Sequence, residues 1–284
     1  PGPTFVEHHG VPVVARIRNN LVADANGPGA PQISTHLHNL HCASASDGYP
    51  GHFYPSKDDN GTFRDHHWPN VHAGVDDPRY RAMQGDPREA LGTMWYHDHC
   101  LFFTAQNVYR GLAGFYLLFD ALDSGSESSG LRLPSGVNKY DIPLLVNDPR
   151  IDASGYLLFD QFENDGHLGN VFCVNGKISP YFKVERRKYR FRLLNGSLAR
   201  FYEFYVCTSD GANQAFDYIA NDGNLLPAPL RNERRVALAP AERGDIVVDF
   251  KAWPSGTKLY LVNRLVQRDG RGPAGALVNV RGPD

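Results

Sequence analysis

Glycine and proline supply 48 of the 284 residues, about one in six. Proline breaks a helix interior and glycine weakens it, so a chain punctuated this often has little room for long helices. The apolar segments between the breaks are short, rich in β-branched and aromatic residues, and often alternating. That pattern reads as strands over residues 11–19, 33–38, 92–99, 113–120, 142–146, 171–174, 189–194, 201–206, 246–250 and 259–262. One or two helical turns are expected at 102–110. The pairs Asn175-Gly176, Asn195-Gly196, Asp222-Gly223 and Ser255-Gly256 mark turns between the later segments. The expected fold is all-β, a sandwich or barrel in each of two domains. The Ser- and Gly-rich stretch 123–138 reads as a linker, giving domains at 1–122 and 139–284. Residues 43–90 carry Gly, Pro, Asp and His without a period, which marks a long functional loop holding short strands.

Several function classes drop out. A net charge of −2 leaves no electrostatic footprint for nucleic acid. No apolar run approaches the ~18 residues of a membrane span. Four cysteines without a C-x-x-C spacing exclude a zinc ribbon or a disulfide scaffold. The opening Pro1-Gly2-Pro3-Thr4 carries no signal peptide, and the expectation is a piece of a mature protein.

The histidines are unevenly placed. Eleven of the 12 lie between His8 and His99, and only His167 lies beyond. Two His-x-His pairs, His36-Leu37-His38 and His97-Asp98-His99, each end an expected strand. Residues i and i+2 of a strand share a face, so each pair can aim two imidazoles into one space. Two such strands side by side present four imidazoles, a donor set that suits copper or zinc. His8, His9, His41, His52, His66, His67 and His72 are expected in turns or loops, at the surface or packing locally. Cys42 and Cys100 follow His41 and His99 directly, but on a continued strand Cys100 faces away from His99, and Met83 and Met94 are not spaced to complete a blue-copper site. A cupin site needs a Glu shortly after its His-x-His pair, and no carboxylate follows His38 before Asp47.

These residues resemble the multicopper oxidases, in the branch of bacterial laccases, spore-coat oxidases and bilirubin-oxidase-like enzymes. The matching strings are THLHN (35–39), SDG (46–48), WYHDH (95–99), NVYRGLAGFYLLFD (107–120), VNGKISPYFKVERRKYRFRLLNGS (174–197), NDGNLLPAPL (221–230) and LAPAERGDIVVDF (238–250). They run in family order over nearly the whole chain. The resemblance implies two cupredoxin-like Greek-key β-sandwich or barrel domains, the first two of three. It implies copper ligands at His36 (type 2) and at His38, His97 and His99 (the type 3 pair), with His38 and His97 on one ion and His99 on the other. It also implies a proton-relaying carboxylate at Asp47. Asp98 is expected to point away from the copper face, either to orient a ligand or to pair with solvent or backbone.

Two departures matter. Asn39 stands where the family most often has Gly. The HPxHxH and HCHxxxH strings, with the type 1 site and half of the trinuclear ligands, are not in this sequence. The expectation is therefore the N-terminal part of a laccase-like oxidase, ending where a third cupredoxin domain would begin. That domain, on the same or a separate polypeptide, would be its partner, with dioxygen and a small phenolic or aromatic donor as substrates. Alone, the chain is expected to be inactive. A metal-ion oxidase on the same scaffold, or a non-enzymatic copper-binding or coat-structural β-protein, is the alternative. If His38 and His99 converge, Cys42 and Cys100 come close enough to bridge; Cys173 and Cys207, on two expected strands of the second domain, could pair likewise. Such bridges would fit an extracytoplasmic, secreted or coat-associated location.

Overall fold

Residues 1–22, 28–56, 62–163 and 165–279 are described by a computed structural model. They divide into two compact units, 1–123 with 152–159, and 124–151 with 160–284.

The first unit is built from eight strands: β1 (Phe5–His8), β2 (Val13–Asn19), β3 (Gln32–Ile33), β4 (Thr35–His38), β5 (Tyr54–Pro55), β6 (Thr62–Trp68), β7 (Thr93–Asp98) and β8 (Ala113–Phe119). Its main sheet runs β1-β8-β7-β4, with β1 parallel to β8 and the other pairs antiparallel. β2 and β6 form a separate antiparallel pair. One face of the main sheet presents Leu37, Met94, Tyr116 and Leu118, which pack with Ala15 of β2 and Trp68 of β6. That core consumes every second side chain of β4 and β7. The alternate positions, His36, His38, Trp95 and His97, are left for the opposite face. A single turn and a half of helix, Thr104–Tyr109, follows β7.

β6 is one of the short strands expected within residues 43–90, although the sequence pattern gives it no bounds. It lies inside the long His-rich segment, and its buried positions are His66 and Trp68 rather than an aliphatic series. The expected strand over 33–38 is interrupted at Ser34, and residues 44–46 and 81–83 form short 3-10 turns.

The second unit centres on a seven-stranded sheet that includes Asp141–Asn147, Lys188–Asn195, Phe216–Asn221, Asn224–Glu233 and Arg243–Asp249. A three-stranded sheet of Tyr202–Thr208, Val236–Leu238 and Leu259–Asn263 accompanies it. Leu193, Phe204, Val206, Phe216, Ile246 and Val248 form the core. On Lys188–Asn195 the alternate residues Arg190 and Arg192 are also fully buried. Arg192 donates to Asp141 at 2.8 and 2.7 Å, and Arg190 donates to Asp245 at 3.0 and 2.6 Å. The strands either side place these aspartates: Asp141 lies opposite Arg190 and Asp245 opposite Arg192. Among the described residues no helix is long and apolar enough to cross a membrane.

Candidate metal centre

Strand register brings the two His-x-His pairs together. β4 and β7 are antiparallel with His36 opposite His97 and His38 opposite Trp95. Directly opposed residues share a face with Cβ atoms only about 4.5–5.5 Å apart. The His36 ring therefore lies 5.3 Å from those of His97 and His99, and 5.6 Å from that of His38. One ligand atom from each of His36, His38 and His97 falls within 4.8 Å of the others. His99 sits at the rim of this group, past the last residue of β7, with its ring 5.7 Å from that of His97.

Backbone carbonyls set the tautomers. His36 Nδ1 lies 2.6 Å from the Asp47 carbonyl oxygen, and His97 Nδ1 lies 2.7 Å from the Asp98 carbonyl oxygen. A carbonyl only accepts, so both Nδ1 atoms carry the proton and both Nε2 lone pairs are left for a ligand. His38 Nδ1 is 3.4 Å from His97 Nε2. Two nitrogens that share an ion at about 2 Å each stand roughly 3–4 Å apart, so this pair is already at coordinating separation. His99 Nδ1 is buried without a partner. A set of neutral imidazoles with no carboxylate in the tight group suits copper better than a hard cation.

Burial keeps His97 and His99 neutral. His97 is 7% exposed, with the Trp95 indole 4.3 Å from its ring. Desolvation, reinforced by the neighbouring imidazoles, lowers its pKa to about 3. Desolvation and His36 also lower the pKa of His99. At neutral pH these side chains are unprotonated donors.

A loop that sequence periodicity does not reveal holds the cluster from one side. Ser46 fastens residues 44–48 to β6. Its carbonyl accepts from His66 Nδ1 at 3.0 Å and from the Trp68 indole at 3.4 Å, and its hydroxyl accepts from the His67 amide at 2.9 Å. Gly48 then passes so close to β4 that a Cβ there would lie 2.2 Å from the Thr35 carbonyl oxygen. This approach places the Asp47 carbonyl on His36. The Asp47 carboxylate is 3.2 Å from His36 Nδ1 and accepts from the Cys42 thiol at 3.6 Å. Trp95 is a further site residue not singled out from sequence, although its period-2 position before His97 puts it on the ligand face.

Other expectations are corrected. His66 and His72 take the second of their two expected roles, packing locally at 0% and 2% exposure, His72 stacked on His9, but His66 does so from a strand rather than a loop. Asn39 adopts φ +78°, the left-handed conformation Gly would take, which Asn tolerates better than other side-chain-bearing residues. Asp98 does leave the ligand face, and its partners are backbone amides and Asn107 rather than solvent. The expected bridges between Cys42 and Cys100 and between Cys173 and Cys207 are not formed: all four are free thiols. Cys42 turns to Asp47, and Cys100 contacts the Leu101 carbonyl. Cys173 and Cys207 belong to different sheets. The location inferred from those bridges loses its support.

No family model matches the chain. Among individual proteins, it is 34% identical to a bilirubin oxidase of Albifimbria verrucaria over 90% of its own length and 39% of that protein's. It is 33% identical to a laccase of Bacillus subtilis over 93% of its length and 51% of that protein's. A protein named cell division protein FtsP from a Rahnella strain is 38% identical over 57% of the chain and 32% of its own length. The crystal structure of the McoA multicopper oxidase of Aquifex aeolicus superposes with a TM-score of 0.73 at 28% identity, covering 92% of this chain and 50% of that one. The chain spans about half, or less, of the length of the relatives it matches. By sequence and by its cupredoxin-type fold, it is similar to the laccase-like multicopper oxidases.

Proposed function

We propose that this chain supplies the N-terminal half of the copper-ligand set of a laccase-like oxidase that couples one-electron oxidation of phenolic or aromatic donors to reduction of dioxygen. The observation that carries this reading is the convergence of His36, His38 and His97 within 4.8 Å, with His99 at their rim. His36 takes the type 2 position, His38 and His97 one ion of the type 3 pair, and His99 the other. Copper bound there would supply the one-electron steps that carry dioxygen to water. The chain's own part is to bind, orient and shield. The Asp47 and Asp98 carbonyls fix two imidazoles with Nε2 forward, and Trp95 excludes water from His97. Asp47 relays protons: its half-exposed carboxylate reaches both solvent and the His36 ring, and oxygen reduction consumes protons. A third cupredoxin domain completes the site and carries the type 1 copper.

The test is replacement of His97 or His99 by Ala in the complete oxidase. Either variant should keep the blue colour of a type 1 site housed in another domain, yet take up no oxygen. Normal turnover in either would sink the assignment. The similarity to a protein named for cell division favours a second reading, a non-enzymatic β-protein on the same scaffold. It predicts no donor-dependent oxygen uptake by the complete, copper-loaded wild-type protein.

A further inference from the structure

Strand pairing explains how three of the four imidazoles are placed, but not His99. β7 ends at Asp98, so His99 lies beyond the last residue of the strand, and its backbone is held there by the bond from its own amide to the Ser34 carbonyl at 2.7 Å. Its ring Nδ1 makes no hydrogen bond to another residue that would orient it. The backbone beside it is held by a pair of buried side chains. Asp98 is 3% exposed and Asn107 0% exposed. One Asp98 carboxylate oxygen accepts from the Ser34 amide at 2.8 Å. The other accepts from the Cys100 amide at 3.0 Å and from the Asn107 carboxamide at 3.0 Å. Asn107 also donates to the Gln32 carbonyl at 2.9 Å and accepts from the Ala30 amide at 3.2 Å. Two side chains thus tie together the entry to β4, the exit from β7 and the helix Thr104–Tyr109. The backbone amides on both sides of the His99 position, at Ser34 and Cys100, end on one carboxylate.

We propose that Asp98 and Asn107 form a positioning pair for His99, replacing the missing strand ladder at the point where this ligand must be held. The inference rests on the copper reading above, but its structural half does not need copper. The chemistry is specific to a carboxylate. Both oxygens of Asp98 face N–H donors, so an amide in their place turns its NH2 group against a donor in either orientation. Asp98→Asn, though isosteric, loses at least one of these bonds and sets donor against donor.

The experiment compares the wild-type 284-residue chain with Asp98→Asn, Asn107→Ala, His99→Ala and Met94→Ala. Met94 is fully buried on the same strand and packs in the core, so its variant reports general destabilisation alone. Cu(II) is the probe, with affinity from chelator competition and coordinated imidazoles counted by pulsed electron paramagnetic resonance. Asp98→Asn should weaken copper binding on the order of 10–100-fold and reproduce the imidazole count of His99→Ala. Asn107→Ala should fall between it and wild type. In the metal-free chain with 13C-labelled histidine, the His99 Cε1 resonance should be single in wild type and broadened or doubled in Asp98→Asn, with the His36 resonance unchanged. Wild-type affinity and an unaltered His99 signal in Asp98→Asn would overturn the proposal, as would a copper loss no larger than that of Met94→Ala. If wild type takes up no copper, the copper reading fails, and the His99 resonance alone decides whether the pair positions the ring.

Discussion

Gly48→Ala tests the account of how the Asp47 loop is seated. Gly48 has φ +75°, and an added Cβ would lie 2.2 Å from the Thr35 carbonyl oxygen, 2.5 Å from the Thr35 carbonyl carbon and 2.6 Å from the His36 amide nitrogen. The left-handed conformation alone costs a side-chain-bearing residue roughly 1–2 kcal/mol. The contacts are with backbone on both sides, which cannot rotate away, so the loop must lift from β4. Lifting withdraws the Asp47 carbonyl from His36 Nδ1 at 2.6 Å, a further loss of about 1–3 kcal/mol for the donor left without a partner. The total is on the order of 2–5 kcal/mol. Gly155→Ala supplies the reference: φ is +88° in the same unit, and a Cβ there meets nothing within 4 Å, so only the conformational cost applies. Urea unfolding of both variants measures the difference, and copper titration asks whether His36 still faces the cluster. Gly48→Ala should be the less stable by about 1–3 kcal/mol and should bind copper more weakly. Equal stability and unchanged copper binding in the two variants would refute the argument that the close approach of the loop holds His36.

Three further outcomes are expected. Acidification should destabilise the metal-free chain: His97 is held neutral with a pKa of about 3 while its unfolded value is about 6.5, so the unfolded state takes up the proton first and stability drains away as pH falls from about 6.5 towards 3, on the order of 4 kcal/mol for this residue. Urea midpoints from pH 7 to pH 4 check this, and His97→Asn should flatten the profile. Asp141→Asn strips Arg192 of its bidentate partner in a site where the guanidinium is 0% exposed, and should cost about 3–5 kcal/mol; an effect under about 0.5 kcal/mol in chemical denaturation would show that the pair is not holding the sheet. Copper added to this chain alone should produce no intense blue band, because burial pushes the Cys42 thiol up to about 12 and the Cys100 thiol up to about 11, keeping both protonated; visible absorption decides it.

The ligand strands are legible in the sequence because two periods coincide in them. In β4 and β7 the core claims Leu37 and Met94, the alternation leaves the histidines on the other face, and both facts are visible in the order of residues. The bounds of β6 are not legible because the residues that fill its core positions are His66 and Trp68, and a histidine gives no hydrophobic signal until its Nδ1 finds the Ser46 carbonyl. The same limit hides the second face of Lys188–Asn195. Arg190 and Arg192 carry no hydrophobic signal, yet they are buried because Asp141 and Asp245 arrive from strands about 50 residues away in either direction to neutralise them. The bridge expected at Cys42 and Cys100 fails for a related reason. Nearness to converging ligands holds for the imidazoles, but a thiol's direction depends on local backbone, and one sulfur turns to Asp47 while the other meets the carbonyl of the next residue. Periodicity therefore locates the histidines of this cluster, whereas the groups that orient them are polar contacts between segments distant in sequence: Ser46 with His66, the Asp47 carbonyl with His36, and Asp98 with Asn107 and the Ser34 amide. Those contacts are where mutations should separate loss of copper from loss of fold.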